Sequence, residues 1–405
     1  MTVALAFLLA AQDWPEFRGP TAQGTSTASG LPVEWGPEKN VAWKVEVPGH
    51  GWSSPVVHAG RVHLTSAVPI EGSRDHSLAA LCLDLETGAA LWRTDVFRQD
   101  GGSAPPIHAR NSHASPTPIV RDGRLYVHFG HQGTACLDLA GKVLWRAESP
   151  KLDPEDGNGA SPLLVDGALV FSQDGKDLAF VRALDRDSGK EVWRTPRRTA
   201  AKNLFSYCTP LLVEADGRRQ VVLPGSGAAC AYDPATGTEL WRVDMGQGYS
   251  VVPRPVFAHG LVYVCTGFDK PSLLAVRPGG AGDVTATHVA WRTDRDVPLV
   301  SSIVVLGDLL YMVSDKGVAS CLDARTGEER WRERLGGQHW ASPLAADGKV
   351  YFQNVDGVGF VVRAAPAFEL LSKNALDGKT LASYAVTGRA LLVRTDRHLY
   401  RIQAP

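Results

Sequence analysis

The residues of this chain that could do chemistry are spread out and do not gather into a reactive motif. Cys82, Cys136, Cys208, Cys230, Cys265 and Cys321 are never adjacent and never in CxxC spacing, so they form no thiolate metal motif. His58 and His63 are five apart; they would fall on opposite faces of a strand, with a turn between them, and make no metal pair. Ser53-Ser54 and Ser301-Ser302 lack the GxSxG elbow that would expose a serine nucleophile. What remains is a set of aromatic and hydrogen-bonding side chains: Trp52, His113, Asn158, Tyr207, Tyr249, His339 and Trp340. With Asn111, Gln173, Asp174, Arg254 and Lys270 they suit the binding of a ligand or peptide by stacking and hydrogen bonds. The competing role for these residues is to cap strands and hold water. No catalytic residue and no metal ligand is assigned.

The elements that must position them follow from a repeat. Seven of the eleven Trp precede a basic residue: Trp43, Trp92, Trp145, Trp193, Trp241, Trp291 and Trp331, at intervals of 49, 53, 48, 48, 50 and 40. Such periods mark propellers or solenoids. A further 40 residues lands on Leu371 in FELLSKN, which makes eight units. A Ser/Thr-Pro pair or a relative opens each unit: Ser54-Pro55, Ser115-Pro116, Ser161-Pro162, Thr209-Pro210, Arg254-Pro255, Ser302-Ile303, Ser342-Pro343 and Ser383-Tyr384. A short apolar strand, a Gly-containing turn such as RDGR or ADGK, and a β-branched run such as RLYVHFG then read as a hairpin. A third strand ends in Asp, and turns such as DLETG and DPATG lead to the Trp strand. The fold class is therefore all-β, an eight-bladed β-propeller of four-stranded antiparallel blades.

The ends fit that ring. NVAWKVEV, residues 40–47, precedes any complete unit, and the last unit, Ser383 to Ile402, lacks a Trp strand. Pairing the N-terminal strand with the last C-terminal blade would close the propeller and remove its open edges. The repeated Trp are expected to pack between blades. The cysteines are expected to be buried free thiols, because equivalent positions in neighbouring blades are too far apart for a disulfide.

With 42 Lys+Arg against 43 Asp+Glu, no strong field attracts nucleic acid or an anionic membrane. Residues 2–11, TVALAFLLAA, have the length of a signal-peptide core and fall short of the roughly 20 residues that cross a bilayer. The domain reading is a signal peptide over 1–11, an N-terminal extension over 12–39 and the propeller over 40–403. No Cys precedes Cys82, so no lipobox is available. The expectation is a soluble, monomeric, periplasmic or otherwise extracytoplasmic protein without a transmembrane segment.

Units of the form SPxxxxDGxVYxxxxxGxLxCLDxxTGxxxWR resemble pyrroloquinoline-quinone (PQQ) repeats, found in quinoprotein dehydrogenases and in the outer-membrane assembly factor BamB. The resemblance spans residues 40 to 403. The stretch DWPEFRGPTAQGTS is similar to bacterial PQQ-like repeat proteins. For the dehydrogenases the resemblance implies adjacent cysteines against the quinone and a Ca²⁺ held by Glu, Asn and Asp beside a catalytic Asp. This sequence has no adjacent cysteines; Asp174 and Asp177 of SQDGKD with Asn158 of GNGAS are its candidate oxygen ligands, and solvated turn residues are the other reading of them. What the resemblance implies first is a non-enzymatic scaffold with no cofactor. The alternative is a PQQ- and Ca²⁺-dependent alcohol or sugar dehydrogenase; a second alternative is glycan binding through Trp52, Trp340 and Tyr249.

In a propeller, the connections between blades and those between second and third strands share one face. The long insertions VFRQDGGSAPPIHARNSH, Val96 to His113, and SAVPIEGSRDHS, Ser66 to Ser77, fall there, where binding residues concentrate. The candidate set is expected to line a funnel for a protein or small ligand on that face.

Overall fold

The computed structural model describes residues 13–104 and 107–404; the leader read over 1–11 lies outside them. Eight antiparallel sheets follow one another along the chain. Blade 1 is built from Val56–His58, Arg61–Pro69, His76–Asp84 and Ala90–Gln99. Blades 2 to 7 begin at Ile119, Leu163, Leu211, Val256, Val304 and Leu344. Blade 8 takes Ala385–Thr387, Ala390–Arg394 and His398–Gln403, and its outer strand is Val41–Glu46 from the other end of the chain. The register there runs from Val41 opposite Ile402 to Glu46 opposite His398. The ring is closed as the missing strand at each end required. Among the described residues the only α-helix is the single turn Thr285–His288.

Local chemistry explains the strand breaks. The first hairpin of most blades turns on two consecutive residues with positive φ, as at Asp122-Gly123, Asp166-Gly167, Asp216-Gly217 and Asp347-Gly348, the conformation that matches strand twist. The third strand ends in an Asp whose carboxylate accepts from the turn. Asp84 Oδ1 takes Glu86 N, Thr87 N and Thr87 Oγ1, and Asp233 and Asp323 repeat this.

These turns receive the Trp of the preceding blade. The indole N–H of Trp43, Trp92, Trp145, Trp193, Trp291 and Trp331 donates to a carbonyl of the next blade's turn, at Leu85, Leu139, Arg186, Pro234, Ala324 and Ala365. The turn's glycine lies under the ring; a Cβ at Gly237 would come within 2.3 Å of Trp193. Trp241 differs. Blade 5 carries no such turn, the short segment Gly282–Asp283 lies alongside Trp241 and Arg242, and the indole donates to Gln220 of its own blade. Six of the seven repeated Trp thus staple blade to blade. All six cysteines are buried and free.

A second set of links runs around the channel. The amide of Ser54 donates to Thr117 Oγ1, Thr117 to Ser161, Ser161 to Thr209, Arg254 to Ser302, Ser302 to Ser342, Ser342 to Ser383, and Ser383 to Ser54, all at 2.9–3.1 Å. Each hydroxyl belongs to the next blade and satisfies a buried amide that precedes a strand. This corrects the sequence reading of blade 2. The repeat position is Thr117-Pro118; Ser115 is used locally, its hydroxyl bonded to Ser112.

The relay is interrupted only where Arg254 replaces Ser or Thr. The side chain of Arg254 is fully buried, donates to Pro210 O at 2.9 Å and Phe17 O at 2.7 Å, and faces Glu16 at 3.5 Å. It anchors the N-terminal extension, which packs across the ring at the face of the first-hairpin turns. Trp14 bridges Val57 of blade 1, Pro15 O accepts from Val120 of blade 2, and Arg18 reaches Ile303 O beside blade 6. Thr25–Ser26 then pairs in parallel with Ala345–Ala346 of blade 7, and Trp35 inserts over Tyr351.

Thr117→Val keeps the shape but orphans the buried Ser54 amide, at an expected cost of about 1–3 kcal/mol. The midpoint of urea unfolding should fall accordingly, and by clearly less for Ser115→Ala; equal costs would contradict the register.

Candidate functional site

The extension closes one end of the channel, and the other end opens into a cavity of about 320 Å³. Phe17 of the extension is part of its lining, together with the relay hydroxyls of Ser54, Thr117, Ser161, Thr209, Ser302, Ser342 and Ser383. The walls come from connections on the loop-rich face. Trp52 precedes blade 1, Phe205 and Tyr207 precede blade 4, Tyr249 precedes blade 5, Phe268 lies within blade 5, and Trp340 precedes blade 7. Neighbouring rings touch: Phe205 meets Tyr249 edge-on at 5.5 Å, and Tyr249 lies 6.1 Å from Phe268.

The insertion between blades 1 and 2 crosses this mouth. His108 N and Asn111 Nδ2 both donate to Asp156 O before blade 3. Arg110 reaches the opposite side, where its guanidinium lies 5.0 Å from the Trp340 ring and 5.5 Å from Phe268. It pairs with Asp315 of blade 6 at 3.1 Å. Asp315 Oδ1 also accepts Leu299 N and Val300 N. Burial raises the Asp315 carboxyl above its ordinary range, against those amides and Arg110.

Of the twelve residues singled out in the sequence, Trp52, Asn111, Tyr207, Tyr249 and Trp340 line the cavity. The others have different surroundings. His113 packs on His76 at 5.3 Å. Asn158 bonds His131 at 2.7 Å, and Gln173 bonds Ser149 and Arg182. Asp174 is buried 3.3 Å from the buried Arg197. Arg254 anchors the extension, Lys270 is exposed, and His339 is buried against Phe360 and bonded to Gly336 O. The sequence reading missed Phe17, Arg110, Asp156, Phe205 and Phe268. Phe205 stands two residues before Tyr207 and could have been found from that spacing; the rest meet only through contacts across the ring. Half of the insertion from Ser66 to Ser77, read as a loop, is ladder, with pairing out to Pro69 opposite His76.

The proposed oxygen ligands do not converge. Asn158 is bonded to His131, Asp174 to Arg197, and Asp177 accepts Asp153 N. Among the described residues no group of three or more His, Cys, Asp or Glu is placed to hold a metal ion. These side chains do not fit the Ca²⁺ of a quinoprotein.

A family model described as outer membrane protein assembly factor BamB matches residues 25–148, 74–276, 181–303 and 280–399, in repeats that overlap along the ring. The chain belongs to this PQQ-like propeller family. Tetrathionate hydrolase of Acidithiobacillus ferrooxidans is 21% identical over 67% of this chain and 51% of its own length. Methanol dehydrogenase subunit 1 of Methylorubrum extorquens is 28% identical over 31% of this chain and 22% of its own. BamB of Yersinia pestis is 25% identical over 46% of this chain and 49% of its own. The chain thus spans about half, or less, of these relatives. The crystal structure of BamB from Moraxella catarrhalis superposes with a TM-score of 0.65 at 16% identity, covering 90% of this chain and 97% of that one. That likeness is one of fold. No helix among the described residues is long and apolar enough to cross a membrane.

Burial fixes several imidazoles in the neutral form: His63, His131 and His339 are pushed down to about 4 and His128 to about 3. The unfolded chain protonates near 6.5, so stability is complete above that pH and is lost as pH falls from about 6.5 towards 4. Asp174, pushed up to about 6 by burial, acts in the opposite sense, since the folded state binds its proton first. Four groups outweigh one. Neither nitrogen of His63 has a hydrogen-bond partner among the described residues, so His63→Leu should raise the melting temperature more at pH 5 than at pH 7.5. A larger gain at pH 7.5 would contradict a neutral buried imidazole.

Proposed function

We propose that this chain is a non-enzymatic, extracytoplasmic scaffold of the BamB type that binds a protein or small ligand on its loop-rich face. The observation that carries the reading is the blind cavity, plugged below by the N-terminal extension and walled above by six aromatic rings. Aromatic walls with a few directed polar groups are the usual composition of a binding pocket. Two of the charged groups that line it are held in ion pairs, Arg110 with Asp315 and Glu155 with Lys176 at 2.8 Å, and the Asp156 carboxylate accepts the Tyr207 hydroxyl at 3.1 Å. The lining serine and threonine hydroxyls of the relay accept backbone amides and are not bonded to a His, Asp or Glu base among the described residues. A periplasmic site and a monomeric state belong to the same proposal.

The match to methanol dehydrogenase favours a second reading, a PQQ-dependent oxidoreductase. It would need a cation site other than Asn158, Asp174 and Asp177, whose side chains are engaged elsewhere.

Affinity capture from the native envelope with the wild type and with Trp52→Ala/Tyr249→Ala separates the readings. A partner retained by the wild type and reduced about tenfold by a folded double variant supports the scaffold. Quinone absorbance and alcohol- or sugar-dependent dye reduction after incubation with PQQ and Ca²⁺ would replace it with the oxidoreductase.

A further inference from the structure

The charges around the cavity do not balance locally, and the imbalance has a sign. Its lining includes Arg110, Glu155 and Asp156. Arg110 is matched by Asp315 and Glu155 by Lys176. Asp156 has no ion-pair partner among the described residues. Its carboxylate accepts only the Tyr207 hydroxyl, at 3.1 Å, while its backbone carbonyl holds the crossing loop through His108 and Asn111. An anionic group in a pocket walled by aromatic faces is the arrangement that attracts an organic cation, because ring quadrupoles and the carboxylate act in the same direction.

The protein itself shows which cation its aromatic wall accepts. The guanidinium of Arg110 stacks on Trp340 and Phe268 while pairing with a carboxylate. Beyond Phe268 the run of rings continues through Tyr249, Phe205 and Tyr207, with successive centroids 6.1, 5.5 and 6.4 Å apart, and the Tyr207 hydroxyl donates to the Asp156 carboxylate at its far end. The near end is filled by the chain's own cation, and the far end presents the same elements without one.

We infer that the cavity is a recognition site for a guanidinium-bearing ligand, with Asp156 as its counter-ion and Tyr207, Phe205 and Tyr249 as its stacking wall. This rests on the loop-rich face being a binding face and names the chemistry it selects. The guanidinium can belong to an arginine side chain in a partner's extended segment or to a small free molecule. Lysine is the weaker fit, because an ammonium group cannot stack as a plane or bond a carboxylate in a bidentate fork.

Titration of the full chain with N-acetyl-arginine amide, read by tryptophan fluorescence from Trp52 and Trp340, tests the inference. Saturable binding is expected, weakened about tenfold or more by Asp156→Asn, whose side chain keeps its shape and loses its charge. The neutral isostere N-acetyl-citrulline amide should not saturate. Acetylated Gly-Arg-Gly amide binding at least as well as the single residue identifies a peptide source, and its exclusion identifies a small free ligand. Citrulline binding equal to arginine, an unchanged affinity in a folded Asp156→Asn, or competition by Ca²⁺ at equal concentration would each overturn the inference. If instead a captured partner is lost with Trp52→Ala/Tyr249→Ala but kept by Asp156→Asn, the cation chemistry fails and the binding face stands. If neither variant changes capture, both fail.

Discussion

One hydrogen bond, made seven times, holds the rest of the structure in place. A buried amide at the start of an inner strand must find an acceptor, and in seven of the eight blades the acceptor is the hydroxyl of the next blade. The donor and acceptor positions are equivalent in seven of the eight blades, so the pattern can run from blade 5 back to blade 4 only if the last blade meets the first. Ser383 to Ser54 is that closure. On the outside, the Trp-to-turn bonds impose the same order at a larger radius, and the Val41–Glu46 strand joins the two ends of the chain. Ring size, closure and the floor of the cavity therefore have a common origin.

The interruption of the relay is as informative as its continuity. At Arg254 the hydroxyl is replaced by a guanidinium that reaches Pro210, Phe17 and Glu16. A buried cation is tolerable only when its donors are used and a counter-ion is near; blade 4 supplies one acceptor at Pro210 O, and the N-terminal extension supplies the Phe17 carbonyl and the Glu16 carboxylate. The break in the repeat is thus the anchor of the segment that seals the channel. Burial and the neighbouring guanidinium of Arg254 push the Arg18 guanidinium down to about 9, which reflects how little water reaches this end of the ring.

Repetition made the fold readable from sequence. A staple that recurs as Trp-Lys or Trp-Arg every 40 to 53 residues reports blade count, strand order and closure, because each unit repeats the same local physics. The misplaced relay position, Ser115 for Thr117, arose where two Ser/Thr-Pro pairs stand two residues apart; only the bond to Ser161 identifies the right one. The site was legible only in part because it is not repeated. Trp52, Tyr207, Tyr249 and Trp340 were visible as aromatic residues just before inner strands, a position the repeat defines. Arg110 and Phe17 enter from segments outside the repeat, and Asp315 faces Arg110 across 205 residues. Gln173 and Asp174 lie in the right part of their blade but are consumed by Arg182 and Arg197.

The loop-rich face divides its tasks between a rigid part and an added one. The relay hydroxyls and the rings before each inner strand are fixed by the blades, and their spacing cannot change without opening the ring. The insertion between blades 1 and 2 is attached at separate points, to Asp156 by His108 and Asn111 and to Asp315 by Arg110. Arg110 therefore makes two kinds of contact together. Its guanidinium lies over Trp340 and Phe268 at the mouth, and its pairing with Asp315 matches one carboxylate there, while Asp156 of the lining has no ion-pair partner among the described residues. A near-neutral protein, with 42 basic and 43 acidic side chains, can in this way present a local field of definite sign where a ligand would meet it. The selectivity of the face then resides in how the inserted loop distributes charge over a scaffold that is itself indifferent to it.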